Sequence, residues 1–405
     1  MTFAKQDESE TPGFGTLAVH AGLPHDSTTG ALTEPIYLTT TFAQRDIASP
    51  IGSYVYSRSN NPNRESFESA LAALEHARHA IAFSSGLAAT TAVFLGLASG
   101  GHVVCNADLY GGTYRLLTQV SEAHNNTSVS FIDNFEDNIR DAIKEDTKVV
   151  WIESPSNPTL TMIDIQLVAD IVHEKGAILV VDNTMLSPYI QNPLDHGADI
   201  VLHSVTKYIN GHSDVLMGAV ALNSDSLHQK LRFLQNSTGS VPSPFDCWLA
   251  HRGLKTLHLR AATASNNAAR LAAILHHLAL KQHRFSLGGA MVSFRICGGG
   301  DAAARFCKST KYFTLAESLG GVESLCEVPA RMTHASIPRE AREKVGVYDD
   351  LIRLSVGIED VRDLEVDMGA NMHCERDLER RAELCQPNPG NDISEGQLTI
   401  NDVPG

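Results

Sequence analysis

Lys207 sits in Ser204-Val-Thr206-Lys207-Tyr-Ile-Asn-Gly-His212, directly after the apolar run Ile200-Val-Leu-His203, with hydroxyls on either side of residue 205. An amine held at such a place can condense with an aldehyde, while the hydroxyls bind a phosphate on the same molecule. Pyridoxal phosphate carries both groups, and its ring nitrogen needs a carboxylate to stay protonated. Asp182 is the candidate carboxylate. It follows the strand-like run Ala177-Ile-Leu-Val-Val181, and ligands of open α/β sheets gather at the carboxyl ends of strands. A lone lysine after a strand is ordinarily a solvated surface group. An aspartate on one strand and Ser-x-Thr-Lys on the next is a far more specific combination.

Other residues could complete such a site. Ala80-Ile-Ala-Phe83 reads as a buried strand, and Ser84-Ser-Gly86-Leu87 then opens a helical run to about Leu97. A helix N-terminus there would offer backbone N–H groups and a positive dipole end to a phosphate. In Tyr110-Gly-Gly-Thr113 the paired glycines allow close backbone approach, which would lay the Tyr110 ring against a planar ligand. Asn157, in the turn Glu153-Ser-Pro-Ser-Asn157-Pro-Thr, can donate its amide to a ring substituent or a carboxylate. Leu351-Ile-Arg353-Leu-Ser-Val356 reads as a strand with one charge among apolar neighbours. A buried arginine needs an anionic partner, and a substrate carboxylate and a structural Asp or Glu are both open. Tyr56 and Arg58 stand two apart on a segment expected to be extended, hence on one face.

These groups have to be carried by a scaffold, and the periodicities predict one. Val149–Ile152 as strand, Ile165–Lys175 as amphipathic helix ended by Gly176, and Ala177–Val181 as strand make a βαβ unit, so the sheet is at least partly parallel. A helix is expected from Glu65 to Ala77, a strand at Val103–Cys105, helices over Leu227–Gln235 and Pro242–Gly253, and a long Ala-rich helix over about Thr256–Leu280. Gly288–Arg295 reads as a period-2 strand opening a second domain. At 405 residues the chain is long for one core. The expected organisation is an irregular N-terminal arm (1–60), a large α/β domain (61–255), a bridging helix with a smaller domain (256–365), and an acidic tail (366–405) expected to be disordered.

Composition narrows the partners. A formal charge of −15 argues against nucleic acid, whose phosphates call for clustered Lys and Arg. The acidic start has no apolar core of a leader, and no apolar run approaches membrane-spanning length. Seven scattered cysteines without C-x-x-C spacing suit a reducing compartment, so a cytoplasmic location is expected. His76, His79 and the pair His276-His277 lack Cys or carboxylate company in sequence and read as solvated helix faces, so no metal is expected. Gly298-Gly-Gly300 reads as a turn because no Lys-Ser/Thr follows it.

Taken together the chain resembles the Cys/Met-metabolism branch of the fold-type I pyridoxal-phosphate enzymes over roughly residues 15–365. The motifs that carry the likeness are Tyr56-Ser-Arg58-Ser-x-Asn-Pro62, Ser85-Gly86-Leu87-Ala-Ala-Thr, Tyr110-Gly-Gly-Thr, Val181-Asp182-Asn-Thr, Ser204-x-Thr206-Lys207-Tyr-Ile-Asn-Gly-His-Ser-Asp214, Pro242-Ser-Pro-Phe-Asp, Leu315-Ala-Glu317-Ser318-Leu-Gly-Gly and Ile352-Arg353-Leu-Ser-Val. The resemblance implies a large, mostly parallel-sheet domain and a smaller C-terminal α/β domain. It also implies bound pyridoxal 5'-phosphate and a small amino-acid substrate. Lys207 would be the lysine that tethers the cofactor and shuttles protons, Asp182 the partner of the ring nitrogen, and Tyr110 the ring that stacks on the cofactor and assists proton transfer. Gly86, Leu87, Ser204 and Thr206 would hold the phosphate, joined by Tyr56 and Arg58 from a neighbouring subunit of a tetramer built from active dimers. Asn157, Ser318 and Arg353 would bind the substrate carboxylate, and Glu317 would tune the preference between γ and β chemistry. The reaction implied is γ-elimination of cystathionine to cysteine, 2-oxobutanoate and ammonia. A γ-replacement on an acylated homoserine uses the same residues and stays open, as does a relative without turnover. Relatives carry an additional segment between the bridging helix and Lys281-Gln-His-Arg284, so the small domain is expected to be shortened.

Overall fold

A computed structural model of the chain describes residues 12–22, 28–273 and 287–372. The arm contains a short helix, Phe14–His20, and a two-stranded ribbon, β1 (Gln44–Asp46) and β2 (Ser49–Pro50). It is therefore less irregular than its composition predicts. Ala18 anchors the first helix, fully buried against the hydrophobic cluster that includes Phe67, Leu71 and Leu257.

The centre of the molecule is a seven-stranded sheet made of β3 (His79–Phe83), β4 (His102–Asn106), β5 (Ser128–Ile132), β6 (Thr147–Glu153), β7 (Ile178–Asp182), β8 (Ile200–Ser204) and β9 (Gly218–Leu222), in the order β3-β9-β8-β7-β6-β4-β5. Pairing from β5 through β8 is parallel, whereas β9 runs antiparallel to both β8 and β3. The runs of Val, Ile and Leu in β4, β6, β8 and β9 are buried on both sides, as a sheet covered by helices on two faces requires, while the edge strand β5 is half-buried. Along β6, Val149 and Trp151 pack with Phe83, Phe94 and Leu202 on one face, while Val150 and Ile152 pack with Ile165 and Val168 on the other.

Capping chemistry sets the helix boundaries. Asn61 accepts from the Asn63 N–H with Pro62 in the first turn of helix Pro62–Leu74, and Asp164 accepts from the Leu167 N–H at helix Ile165–Glu174. Gly176, at φ +73°, then turns the chain into β7. His79 lies at the start of a strand, not on a helix face, and its ring stacks on His228 and pairs with Asp225. His76 pairs with Asp195, and His276-His277 lie outside the described residues.

The second sheet joins β10 (Met291–Arg295), β11 (Thr314–Leu315), β12 (Leu325–Glu327) and β13 (Leu351–Ser355) in the order β10-β13-β12-β11. The bridging helix is seen as Leu257–Ala273, and the connection expected to be shortened lies at residues 274–286, outside the described residues. Gly298, at φ +97°, is the N-cap of helix Gly299–Ser309, so the triple glycine opens a helix as well as making a turn. The order also continues past residue 366, in helix Val361–Met372. Leu364 and Met368 are buried one helical turn apart, and Asp367 accepts from the N–H groups of Lys311 and Tyr312. The rest of the tail lies outside the described residues.

Candidate active site

The carboxyl ends of β6, β7 and β8 place Glu153, Asp182 and Ser204 side by side, because Glu153 is in register with Asp182 and Asp182 with Leu202. The antiparallel β9 begins at this same edge, with Gly218 paired to both Ser204 and Phe83. A cavity of about 280 Å³ opens over it, lined by Gly86, Leu87, Tyr110, Asn157, Asp182, Ser204, Thr206, Lys207, Glu317, Ser318 and Arg353 among others. Residues far apart in sequence thus meet in one space.

Its phosphate end is built by Ser85, the N-cap of helix Gly86–Val93, which accepts from the Ala88 N–H at 3.0 Å. The first-turn N–H groups of that helix, on Gly86 and Leu87, have no partner within the helix. Ser204 faces them: a side chain at Gly86 would stand 3.2 Å from Ser204 Oγ. Thr206 completes the wall, its Oγ1 accepting from the Met217 N–H at 3.0 Å. A methyl group at Gly218 would collide with the Ser85 carbonyl and Gly86 Cα, so the cup needs glycine in the strand beneath it.

Next to this cup, on the neighbouring strand, Asp182 accepts from the Thr184 N–H at 2.9 Å. Burial pushes its carboxyl above the ordinary value. Among the described residues no Lys, Arg or His forms an ion pair with it, so a cation in the cavity would satisfy it. In the same cavity the Lys207 Nζ donates to Ser318 Oγ at 2.6 Å. Burial, then the charge of Arg353, lowers the Lys207 amine to about 8, which makes the nucleophilic neutral form accessible near neutral pH. Tyr110, half exposed at the cavity wall, is held where a methyl group at Gly112 would strike its ring. A donor cup, a reachable amine, a ring and an unpaired carboxylate in this sequence fit pyridoxal phosphate.

Arg353 is 2% exposed. Its Nη1 donates to Asn157 Oδ1 at 2.7 Å and pairs with Glu327 at 3.0 Å, and its Nη2 donates to the Ser318 carbonyl at 2.6 Å. The structural carboxylate that the sequence left open is thus Glu327, the register partner of Arg353 on β12. The Arg353 Nε is buried with no hydrogen-bond partner, so one side of the guanidinium remains for an incoming anion. Behind it Glu327 accepts from Thr333 Oγ1, Thr333 pairs with His334, and His334 reaches the Asn157 carbonyl. This ring of polar groups was not singled out in the sequence, where the charged Glu327 at the end of a short strand was its only signal. Ser318 takes φ +87°, a conformation uncommon for a side-chain-bearing residue, and Glu317 lies exposed at the cavity mouth.

Tyr56 and Arg58 do not line this cavity. Tyr56 is 41% exposed, and Arg58 stacks its guanidinium over the Tyr56 ring and donates to Asn236 Oδ1 at 3.3 Å. Among the described residues no group of three or more His, Cys, Asp or Glu is gathered so as to hold a metal, and no helix is long and apolar enough to cross a membrane.

Comparison with known proteins agrees with this chemistry. The model of the family "Cys/Met metabolism PLP-dependent enzyme" matches residues 15–373. The cystathionine gamma-lyase of Saccharomyces cerevisiae is 54% identical over 383 residues, covering 89% of this chain and 97% of that protein, and that of Dictyostelium discoideum is 50% identical over 373 residues, covering 87% and 96%. The crystal structure of cystathionine gamma-lyase from yeast superposes with a TM-score of 0.85 at 53% identity, covering 90% of this chain and 98% of that one. A match over nearly the whole length means that this chain belongs to the Cys/Met metabolism PLP-dependent enzyme family.

Proposed function

We propose that the protein is a carbon–sulfur lyase that cleaves L-cystathionine and water into L-cysteine, 2-oxobutanoate and ammonia. The observation that carries the reading is Lys207: a half-buried amine of lowered basicity at 2.6 Å from Ser318 Oγ, in the same cavity as Asp182 and Arg353. Pyridoxal phosphate, when bound, supplies the aldehyde that condenses with amino groups and the ring that withdraws electrons from the substrate. Gly86, Leu87, Ser204 and Thr206 hold its phosphate, and Asp182 keeps the proton on its ring nitrogen. Arg353, Asn157 and Ser318 bind the substrate carboxylate, which fixes Cα beside Lys207. The Lys207 amine takes the proton from Cα and serves again when a proton leaves Cβ. The Tyr110 hydroxyl stands on the same wall to assist proton transfer as the sulfur departs from Cγ. Glu317, at the mouth, meets the distal part of the substrate and biases γ over β chemistry.

The same proposal extends to assembly and place. The protein works as a homo-oligomer, a tetramer of active dimers, in which Tyr56 and Arg58 of one subunit reach the phosphate of another. Support comes from their position outside their own chain's cavity and from exposed apolar side chains of the arm, such as Leu32, Leu38 and Ile47. A cytoplasmic location is supported by the free thiols Cys105, Cys247, Cys297, Cys307 and Cys326.

The deciding experiment is product analysis of the purified protein, given cystathionine alone or O-acetylhomoserine with a thiol. Release of 2-oxobutanoate and cysteine from cystathionine is expected. A dominant thioether product from the second mixture would make the enzyme a γ-replacement transferase instead, and no product from either would make it a relative without turnover.

A further inference from the structure

Glu153 has no part in the chemistry assigned so far, yet it lies 4% exposed in the wall of the active-site cavity. As the last residue of β6 it is in register with Asp182, the last residue of β7. Two carboxyl groups thus leave neighbouring strands, whose backbones are about 4.8 Å apart, on the same face of the sheet. Both Glu153 oxygens lie within hydrogen-bond reach of the Tyr110 N–H, at 3.1 and 3.0 Å, and the Glu153 N–H donates to Asn106 Oδ1 at 3.1 Å. Among the described residues no cation is paired with Glu153.

Two buried carboxyl groups this close do not both ionise readily, and the charge settles where it is better supported. Asp182 accepts from the Thr184 N–H at 2.9 Å and has the ring nitrogen of the cofactor to face. Glu153 has one backbone N–H shared between its oxygens. The ionisable groups around it are Asp182 on β7, Cys105 on β4, Asp108 and Tyr110 after β4, and Lys207 and Arg353 lining the same cavity. Burial and then the charge of Asp182 push the Glu153 carboxyl well above its ordinary value.

We propose that Glu153 is a positioning residue: held as a neutral carboxylic acid, it clamps the backbone of Tyr110 and leaves the negative charge at that end of the cavity on Asp182. The inference rests on the cofactor reading of the site. Its first readout is therefore taken on the apoenzyme, where failure of the inference and failure of that reading separate.

The test compares Glu153→Gln with Glu153→Ala. A carboxyl group whose folded value is raised keeps a proton that the unfolded chain releases, so wild-type stability falls as pH rises above the unfolded value and levels off once Glu153 ionises in the fold. Glutamine has no proton to lose. Apo Glu153→Gln is expected to gain in melting temperature over wild type progressively as pH rises above the unfolded glutamate value, until Glu153 ionises in the fold. In the loaded enzyme, kcat of Glu153→Ala is expected to fall at least about tenfold below that of Glu153→Gln, with KM little different, because only glutamine still accepts from the Tyr110 N–H. A melting-temperature difference that does not grow with pH, equal kcat for the two variants, or a Glu153→Gln chain that fails to fold would each overturn the proposal.

Discussion

Lys207 and Arg353 show how burial and a neighbouring charge change what a charged side chain can do. The Lys207 amine is lowered to about 8, first by burial and then by Arg353. In the apoenzyme the unfolded chain binds this proton up to the ordinary lysine value while the folded chain has released it, so stability rises with pH between about 8 and about 10.5. Below that window the full cost remains, on the order of 3 kcal/mol. Replacing Lys207 by Met should accordingly raise the melting temperature of the apoenzyme at pH 7, and calorimetry should find the gain shrinking toward pH 10. In the same variant 2-oxobutanoate release should be lost, while the phosphate cup and Asp182 still bind cofactor without a covalent link. Near-normal turnover would remove Lys207 from the mechanism. Arg353 makes a different demand. Its planar fork is held by Asn157, Glu327 and the Ser318 carbonyl, and Nε is left for an anion. A lysine ammonium cannot reproduce two parallel bonds to a carboxylate. Arg353→Lys should raise KM by roughly tenfold to a hundredfold, equivalent to about 1.4–2.8 kcal/mol. The absorbance of bound cofactor should be unchanged, and its disappearance would mean that Arg353 serves the fold alone.

Among the elements, the strand edge beneath the phosphate cup is the least tolerant. Gly218 pairs with Ser204 and Phe83 at once, and a methyl group there meets the Ser85 carbonyl and Gly86 Cα. These are backbone atoms, so relief requires moving the helix Gly86–Val93 off the sheet. Gly218→Ala should weaken cofactor binding at least about tenfold and lower the melting temperature by several degrees, typical of overpacking in a core. Titrating apoenzyme with pyridoxal phosphate would measure the first effect and calorimetry the second. The strands of this edge were legible in the sequence because apolar runs bounded by Ser, Asp and Gly carry their own signal. Asp182, Lys207 and Tyr110 were legible for the same reason, each ending or following such a run. The carboxylate partner of Arg353 was not, since strand register brings Glu327 to it, and no local pattern encodes that meeting. The helix Val361–Met372 was hidden by its composition. Its apolar positions Leu364 and Met368 are few, and much of its docking is the Asp367 carboxylate accepting from the loop at Lys311–Phe313.

For the whole molecule the question is whose arm completes the phosphate site. Tyr56 and Arg58 lie on the arm, outside their own chain's cavity, with Arg58 donating to Asn236, and the arm carries exposed apolar side chains such as Leu32, Leu38 and Ile47. A segment of this kind gains most by covering a second copy. If each active site joins the lysine of one chain to the arm of another, Arg58 adds a charge-assisted hydrogen bond to the cofactor phosphate. Its loss should cost cofactor affinity on the order of 1.5–3 kcal/mol. Arg58→Ala and Lys207→Ala should each be inactive at limiting cofactor, for different reasons. Mixed and allowed to exchange subunits, they should regain activity, because one site in each mixed dimer pairs an intact arm with an intact lysine and the other carries both lesions. Random exchange makes about half of the dimers mixed, so recovery should approach roughly a quarter of the wild-type sites. No recovery after exchange demonstrated by native mass spectrometry, or full activity in a species that sediments as a monomer, would show that the arm serves its own chain.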